Sequence, residues 1–318
     1  MDLDHLTAPP ADKETVTILV TDSGLGGMAI FSEIAARLKS DPIFSSASLI
    51  YFNAWPVQDR GYNRLKDMEE RIQVFDAALN GMLCFQPDII MIACNTLSIL
   101  YPRTEFSHKQ TLPVIDIVEF GVDMLYQALM EKQRAQAVLL GTVTTIASGV
   151  HREKLMEKGI DPHRLVSQPC DQLATQIEKG PGSDRVAEMI DTYMRQAVDK
   201  MDASPAEIFA ALFCTHFGYS EKFIRQKLEA LLRKPVTVLN PNLRMAAFLF
   251  DACNRRRYES TQVKLRVVSR IVWDPPKIEA VSNIIQKRSF ESARALRTYE
   301  WIPDLFELRV RNSDFSSD

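Results

Sequence analysis

The stretch IIMIACNTLS, residues 89–98, sets an apolar run directly against a cysteine and the polar pair Asn95 and Thr96. An unbroken apolar run of this length reads as a strand buried on both faces, and polar residues immediately after it suggest the rim of a cleft. A second stretch, IFAALFCTHFG (208–218), repeats the plan with Cys214, Thr215 and His216. Outward from these two, short apolar runs at 15–21, 48–52, 112–116, 135–141 and 235–239 alternate with longer amphipathic segments. Between Asn63 and Cys84, the residues Leu65, Met68, Ile72, Phe75, Leu79 and Met82 recur in steps of three and four, one stripe of a helix. Strand alternating with helix predicts an α/β fold of parallel sheets with helices on both faces.

Cys94 follows Asp22 by 72 residues, and Cys214 follows Thr142 by the same 72. This echo predicts two doubly wound lobes related by a pseudo-twofold axis, each offering the C-terminal ends of its strands to a shared cleft. Residues 1–14 read as an N-terminal tail, 15–113 with 225–254 as a first lobe, 114–224 as a second, and 255–318 as a C-terminal extension. In the extension, Val263, Leu265 and Val267 alternate with Lys264 and Arg266, which predicts an edge strand. Helical patterns with Arg288, Arg294 and Arg297 follow and read as solvated faces serving packing or subunit contact. The closing NSDFSSD reads as disordered, and no catalytic group is expected after residue 254.

Of 318 residues, 46% are hydrophobic and 25% charged, the balance of a globular protein able to bury a sizeable core. A net charge of −3 argues against a general nucleic-acid or membrane-surface role and leaves a small-molecule ligand open. The acidic start MDLDHLTAPPADKE lacks a basic region and an apolar core, and no run reaches the ~18 apolar residues of a membrane helix, so a cytoplasmic location is expected. The five cysteines (84, 94, 170, 214, 253) form an odd set without close pairs, suited to a reducing compartment. Cys84, Cys170 and Cys253 read as small buried apolar residues, since none is seen to follow a strand into a polar turn.

A thiol beside hydrogen-bond donors or a helix start can become a thiolate, which accepts protons as well as attacking carbon. Two opposed cysteines, one thiolate and one thiol, could take a proton from one face of a carbon and return it to the other. Inversion then needs no cofactor, but the carbanion between the two steps must be stabilised by nearby donors. TDSGLGG (21–27) supplies Ser23 and glycines that leave backbone exposed, and GTVTTIASG (141–149) supplies Thr142 and Thr145 at another strand-to-helix turn. Cys94, Cys214 and His216 could instead bind zinc, although the usual short ligand spacings are missing. GLGGMA (24–29) also fits a dinucleotide loop, but Asn53 stands at the end of the next strand where an acid would hold the ribose. A non-catalytic amino-acid-binding protein on the same fold is a third reading.

Together these residues resemble the cofactor-independent aspartate/glutamate racemase family. The likeness rests on D-S-G-x-G-G at Asp22 to Gly27, A-C-N-T at Ala93 to Thr96, and C-T-H at Cys214 to His216. PVIDIVEFG (113–121), the G-T-x-x-T-x-x-S turn from Gly141 to Ser148, and IEKG (177–180) add to it, and the six motifs run in family order across about residues 15–254. The resemblance implies a racemase of glutamate, or of another amino acid such as aspartate, supplying a D-amino acid for peptidoglycan and working as a homodimer. It implies Cys94 and Cys214 as the two acid/base residues, assisted by Asp22, His216 and Glu178, with no metal. It further implies that Ser23, Asn95, Thr96 and Thr215 hold the substrate's backbone groups, while Thr142 and Thr145, read from their turn, are expected to bind the substrate beside them. Where the family carries P-Y-G, this chain has Asp59, Arg60 and Gly61, so Arg60 and Gly61 are expected at the substrate side chain. Phe120 replaces a proline of the pattern, and Thr144 stands where glycine is common.

Overall fold

The computed structural model describes residues 13–202, 205–251 and 257–308. Most of the N-terminal tail, Cys253 and the closing NSDFSSD lie outside these residues. From the N-terminal side run β1 (Thr15–Asp22), α1 (Met28–Ser40), β2 (Ser46–Asn53), α2 (Met68–Met82), β3 (Ile89–Ile92), α3 (Asn95–Leu100), α4 (Glu105–Lys109), β4 (Val114–Asp116) and α5 (Ile117–Glu131). Then follow β5 (Gln136–Gly141), α6 (Val143–Ala147), α7 (Val150–Glu157), β6 (Leu165–Pro169), α8 (Leu173–Lys179), α9 (Asp184–Val198), β7 (Ile208–Phe213), α10 (Glu221–Leu232) and β8 (Val236–Leu239). The last group is α11 (Pro241–Asp251), β9 (Gln262–Ser269), α12 (Pro275–Ile285), α13 (Phe290–Arg297) and β10 (Glu300–Trp301).

The strands form two parallel sheets, ordered β10-β9-β2-β1-β3-β4 and β6-β5-β7-β8. Both contain the same sequence of neighbours, second strand, first, third, fourth. The order reverses between the first and third strands, and the crevice at that switch point is where open α/β sheets bind ligands. Asp22 ends β1 and Thr142 follows β5, the two first strands; Cys94 and Cys214 follow β3 and β7, the two third strands. The equal spacing seen in the sequence thus coincides with a repeated topology.

Alternation with a period of two sends each strand's side chains into different cores. In β1, Val16, Ile18 and Val20 enter one cluster with α1, α11 and the helices after β9, while Leu19 faces a second cluster. That second cluster also takes Phe209, Ala211 and Phe213 from β7, so an apolar layer joins the two sheets. Ala210, Leu212 and Cys214 point the other way, into a third cluster under α9 and α10.

Sheet membership corrects three expected boundaries. β4, placed with the second lobe, pairs with β3 in the first sheet. Residues 225–240, placed with the first lobe, carry β8, which pairs with β7 in the second sheet; only α11 returns to pack on α1 and α5. Apolar periodicity identifies a strand but carries no information about which neighbour it joins. The described part of the C-terminal extension, 257–308, joins the first lobe's sheet and packs on the second, since β9 pairs along its whole length with β2 and α12 packs on α8. β9 is also not the outermost strand, because the two-residue β10 covers it. The helical stripe starting at Leu65 shortens to begin at Met68, where the Asp67 side chain accepts a hydrogen bond from Glu70 N as N-cap.

Candidate active site

The turn between β1 and α1 brings the two lobes into contact, and its glycines make that possible. A Cβ on Gly24 would lie 2.3 Å from Glu178 Oε1, and one on Gly26 would lie 2.3 Å from Thr215 Oγ1 and 2.8 Å from the His216 backbone nitrogen. The turn's backbone groups are also engaged within the protein. Gly24 N donates to Asp22 Oδ1 at 2.9 Å and Leu25 N to Glu178 Oε1 at 2.6 Å, while the Gly24 and Leu25 carbonyls accept from Tyr51 and Tyr219. Sequence reasoning expected this backbone to be open to a substrate; Ser23 and Gly24 do line the cavity, and the same turn also receives the second lobe.

Above the turn lies a cavity of about 320 Å³, a volume suited to an amino-acid-sized molecule. Cys94 reaches it from the first lobe and Cys214 from the second. Cys94 Sγ lies 3.2 Å from Ser23 Oγ. Burial, then the negative charge of Asp22, pushes the Cys94 thiol up to about 12, against the pull of Ser23 and of the Leu97 backbone N–H. Cys214 Sγ lies 3.7 Å from His216 Nδ1, and His216 Nε2 lies 2.6 Å from Glu178 Oε1. Burial alone would lower the imidazole, but Glu178 and Cys214 outweigh it and hold His216 well above its ordinary range, as imidazolium. Burial likewise opposes ionisation of Glu178, yet Lys277 and then His216 bring it down to about 2. One sulfur therefore sits as a thiol among neutral donors, the other beside a cationic proton donor.

The remaining wall is polar and tightly held. Thr96 Oγ1 lies 3.1 Å from Thr142 Oγ1 and 3.2 Å from Thr145 Oγ1, a cluster of hydroxyls joining α3 to the start of α6. Thr144, where the family pattern favours glycine, donates to Asn63 Oδ1 at 2.6 Å and ties the same turn to the segment before α2. Asn95 is 1% exposed and accepts at Oδ1 from His151 Nε2 at 2.9 Å, leaving Nδ2 without a partner among the described residues. Burial brings His151 down to about 3, so its ring is neutral, and it stacks on Phe213 with centroids 3.9 Å apart. The Tyr62 hydroxyl is also buried without a partner, and Tyr62 and Asn95 both line the cavity. Buried polar atoms left unpaired are costly unless something binds there.

Of the residues expected at the site, Cys94, Cys214, His216, Glu178, Ser23, Asn95, Thr96, Thr142, Thr215 and Gly61 line this one cavity. Asp22 and Thr145 stand behind the wall. Asp22 is fully buried and accepts from Thr215 Oγ1 across the lobes at 2.8 Å, and burial raises its carboxyl in spite of the His216 charge. Arg60 is corrected: its guanidinium is held on Glu70 at 3.2 Å and on the Arg64 carbonyl, away from the cavity, because Arg60 closes a tight turn with Val57 that points it toward α2. Asp59 and Arg64 line the cavity in its place. Gly61 is required because the Trp55 ring packs on it, where a Cβ would come within 2.5 Å of the indole. Phe120 lies in the core, edge-on to Phe248, and does not touch the site.

Sequence reasoning missed Tyr62, Trp55, His151, Cys170 and Lys277. Cys170 is buried as expected but also lines the cavity, following β6 into the Asp171–Gln172 turn. β6 itself, LVSQP, was hidden by its polar residues and proline. Cys84, expected to be buried, is exposed at the end of α2. Lys277, from the region expected to hold no functional group, forms an ion pair with Glu178 Oε2. Among the described residues, no three His, Cys, Asp or Glu side chains are grouped so as to hold a metal ion, and no helix is long and apolar enough to cross a membrane.

Known proteins share this architecture. The glutamate racemase of Persephonella marina is 24% identical over 216 residues, 66% of this chain and 74% of the relative. The crystal structure of glutamate racemase from Campylobacter jejuni superposes with a TM-score of 0.62 at 21% identity, over 85% of this chain and 97% of that one. That of Francisella tularensis glutamate racemase in complex with D-glutamate gives 0.62 at 20% identity, over 86% and 94%. Residues 28–243 match the family model described as Asp/Glu/Hydantoin racemase. With that match spanning most of the chain and both cysteines at one cavity, this protein belongs to the Asp/Glu/Hydantoin racemase family.

Proposed function

We propose that this racemase inverts the α-carbon of an amino acid by proton transfer between Cys94 and Cys214, with glutamate as the first candidate substrate. The observation that carries the reading is the convergence of the two cysteines, one from each sheet, on a single cavity of amino-acid size. In one direction, the Cys214 thiolate, facing the His216 imidazolium, removes the α-proton as the Cα–H bond breaks. The electron pair left on carbon then takes a proton from the Cys94 thiol on the opposite side. One proton leaves and one arrives, so no oxidant or reductant is involved. The reverse direction exchanges the two roles.

The carbanion forms beside the substrate carboxylate, so the wall must present donors there. Among the described residues, Asn95 Nδ2 and the Tyr62 hydroxyl are buried donors without partners, and Thr96 and Thr142 line the same cavity. Glutamate is favoured by the Francisella glutamate racemase, whose structure is a complex with D-glutamate; the role we propose with it, from the family resemblance, is supply of D-glutamate for peptidoglycan. Aspartate remains the second reading, because Asp59 stands where the family pattern carries the proline of P-Y-G, and Asp59 and Arg64 both line the cavity and add charge to it. The test is a panel of enantiopure amino acids, glutamate and aspartate first, followed by polarimetry without added cofactor. Loss of rotation for one of them supports the reading, and no change for any of them excludes it.

A further inference from the structure

Glu178 is bound on both oxygens. Oε1 accepts from His216 Nε2 and Leu25 N, and Oε2 is paired with Lys277 Nζ. Lys277 comes from the first turn of α12, whose Asp274–Pro275–Pro276 start sets the direction of the helix against α8. Its ammonium also lies 5.6 Å from the centre of the Trp55 ring, in the cavity wall, in cation–π range. The segment leading to it is fixed to the same wall. Gln58 Nε2 donates to the Val272 carbonyl at 2.7 Å, and Val272 N donates back to Gln58 Oε1 at 2.9 Å. Lys277 lies beyond residues 28–243, the part that matches the family model.

A buried carboxylate and imidazolium left alone can cancel their charges by moving the proton onto the carboxylate, since both ions have lost hydration. A second cation on the carboxylate opposes that transfer. We propose that Lys277 is a positioning residue of the racemisation: by occupying the second oxygen of Glu178, it keeps that carboxylate charged and turned toward His216, which therefore retains the proton it presents to Cys214. This rests on the racemase reading for its consequence in turnover, but not for its consequence on His216. Other ionisable groups face the pair from each packed element, namely Asp22 of β1, Tyr51 of β2, Cys214 after β7 and Tyr219 after it. Asp22, Tyr51 and Tyr219 are each held toward their uncharged forms, by burial first and with the Glu178 charge among the further causes, so none of them adds a positive charge to Glu178 and Lys277 is the cation that supports its ionised form beside His216.

The experiment compares full-length wild type with Lys277→Met, Lys277→Gln and Lys277→Arg by NMR of 15N-histidine-labelled protein, with His216 assigned by its loss in His216→Gln. In wild type, His216 stays protonated through neutral pH. In Lys277→Met and Lys277→Gln its titration moves down by one pH unit or more, and kcat at neutral pH falls about tenfold with KM changed less than about twofold, since Lys277 does not line the cavity. Lys277→Arg restores both. Gln keeps a donor to Glu178 without the charge, so it serves if the Met variant does not fold. An unchanged His216 titration in the folded neutral variants overturns the proposal. A wild type inactive on every amino acid would instead overturn the racemase reading, with the His216 titration still deciding the role of Lys277.

Discussion

His216 Nε2 and Glu178 Oε1 stand 2.6 Å apart with both side chains buried, and the imidazole that results is a cation pointed at the Cys214 sulfur. Glu178→Gln removes the charge that outweighs burial, so His216 loses its proton at lower pH. The alkaline limb of the kcat profile therefore moves downward, and kcat at pH 8 falls about 100-fold. A profile measured on both enantiomers checks this, and an alkaline limb that stays in place contradicts it.

Tyr62 is read as a substrate donor because its hydroxyl is buried and, among the described residues, unpaired. Tyr62→Phe removes a polar atom that lacks a partner, so the folded state loses nothing and its melting temperature holds or rises. KM rises about tenfold, the scale of one hydrogen bond to a charged group. Unchanged KM with unchanged stability would show that the hydroxyl meets no substrate.

His151 is neutral in the fold at about 3, against an unfolded value near 6.5. Between these values the unfolded chain binds a proton that the native chain does not, so stability falls as pH falls, by about 1.4 kcal/mol per unit from this group. His151→Phe keeps the stack on Phe213 and removes the titration. Urea unfolding at pH 7 and pH 5 should show a smaller acid loss in the variant, and KM should rise as the Asn95 amide is released. An identical loss in both proteins rules out the buried neutral imidazole.

Gly26→Ala places a Cβ against Thr215 and the His216 backbone, where relief requires the lobes to shift. Overpacking of this kind costs about 1–3 kcal/mol, and the shift moves Cys214 relative to Cys94. Turnover should fall well over tenfold while circular dichroism is preserved. Full activity in Gly26→Ala would mean that the lobes are not held by this turn.

How far the sequence could be read follows from what each signal encodes. Cys94 and Cys214 were legible because each ends a fully buried apolar strand and meets polar residues at once. The strand order that puts them at matching switch points was not, since β8 and β4 carry no mark of their partners. Arg60 was assigned by its place in a motif, but its side chain direction depends on the Val57–Arg60 turn, which motif spacing does not describe. Lys277 left no trace at all, being a lone lysine after two prolines, 99 residues from the Glu178 it pairs with. Contacts made by folding across that distance are invisible to local patterns.

On the proposed two-base scheme, removing either thiol separates the roles of Cys94 and Cys214. Cys94→Ala and Cys214→Ala should each abolish racemisation, while each still eliminates a leaving group from the β-carbon of one enantiomer only, the one whose α-proton faces the remaining sulfur. Elimination from both enantiomers by a single variant would place both faces within reach of one base.

The most direct measurement is racemisation of L-glutamate in deuterium oxide, with both enantiomers analysed by mass at the earliest time points. Two sulfurs on opposite faces predict D-glutamate fully deuterated at the α-carbon from the first turnover, with the unreacted L-glutamate still carrying protium. D-glutamate that retains the original proton, or deuterium entering L-glutamate as fast as product forms, would mean that one base serves both faces.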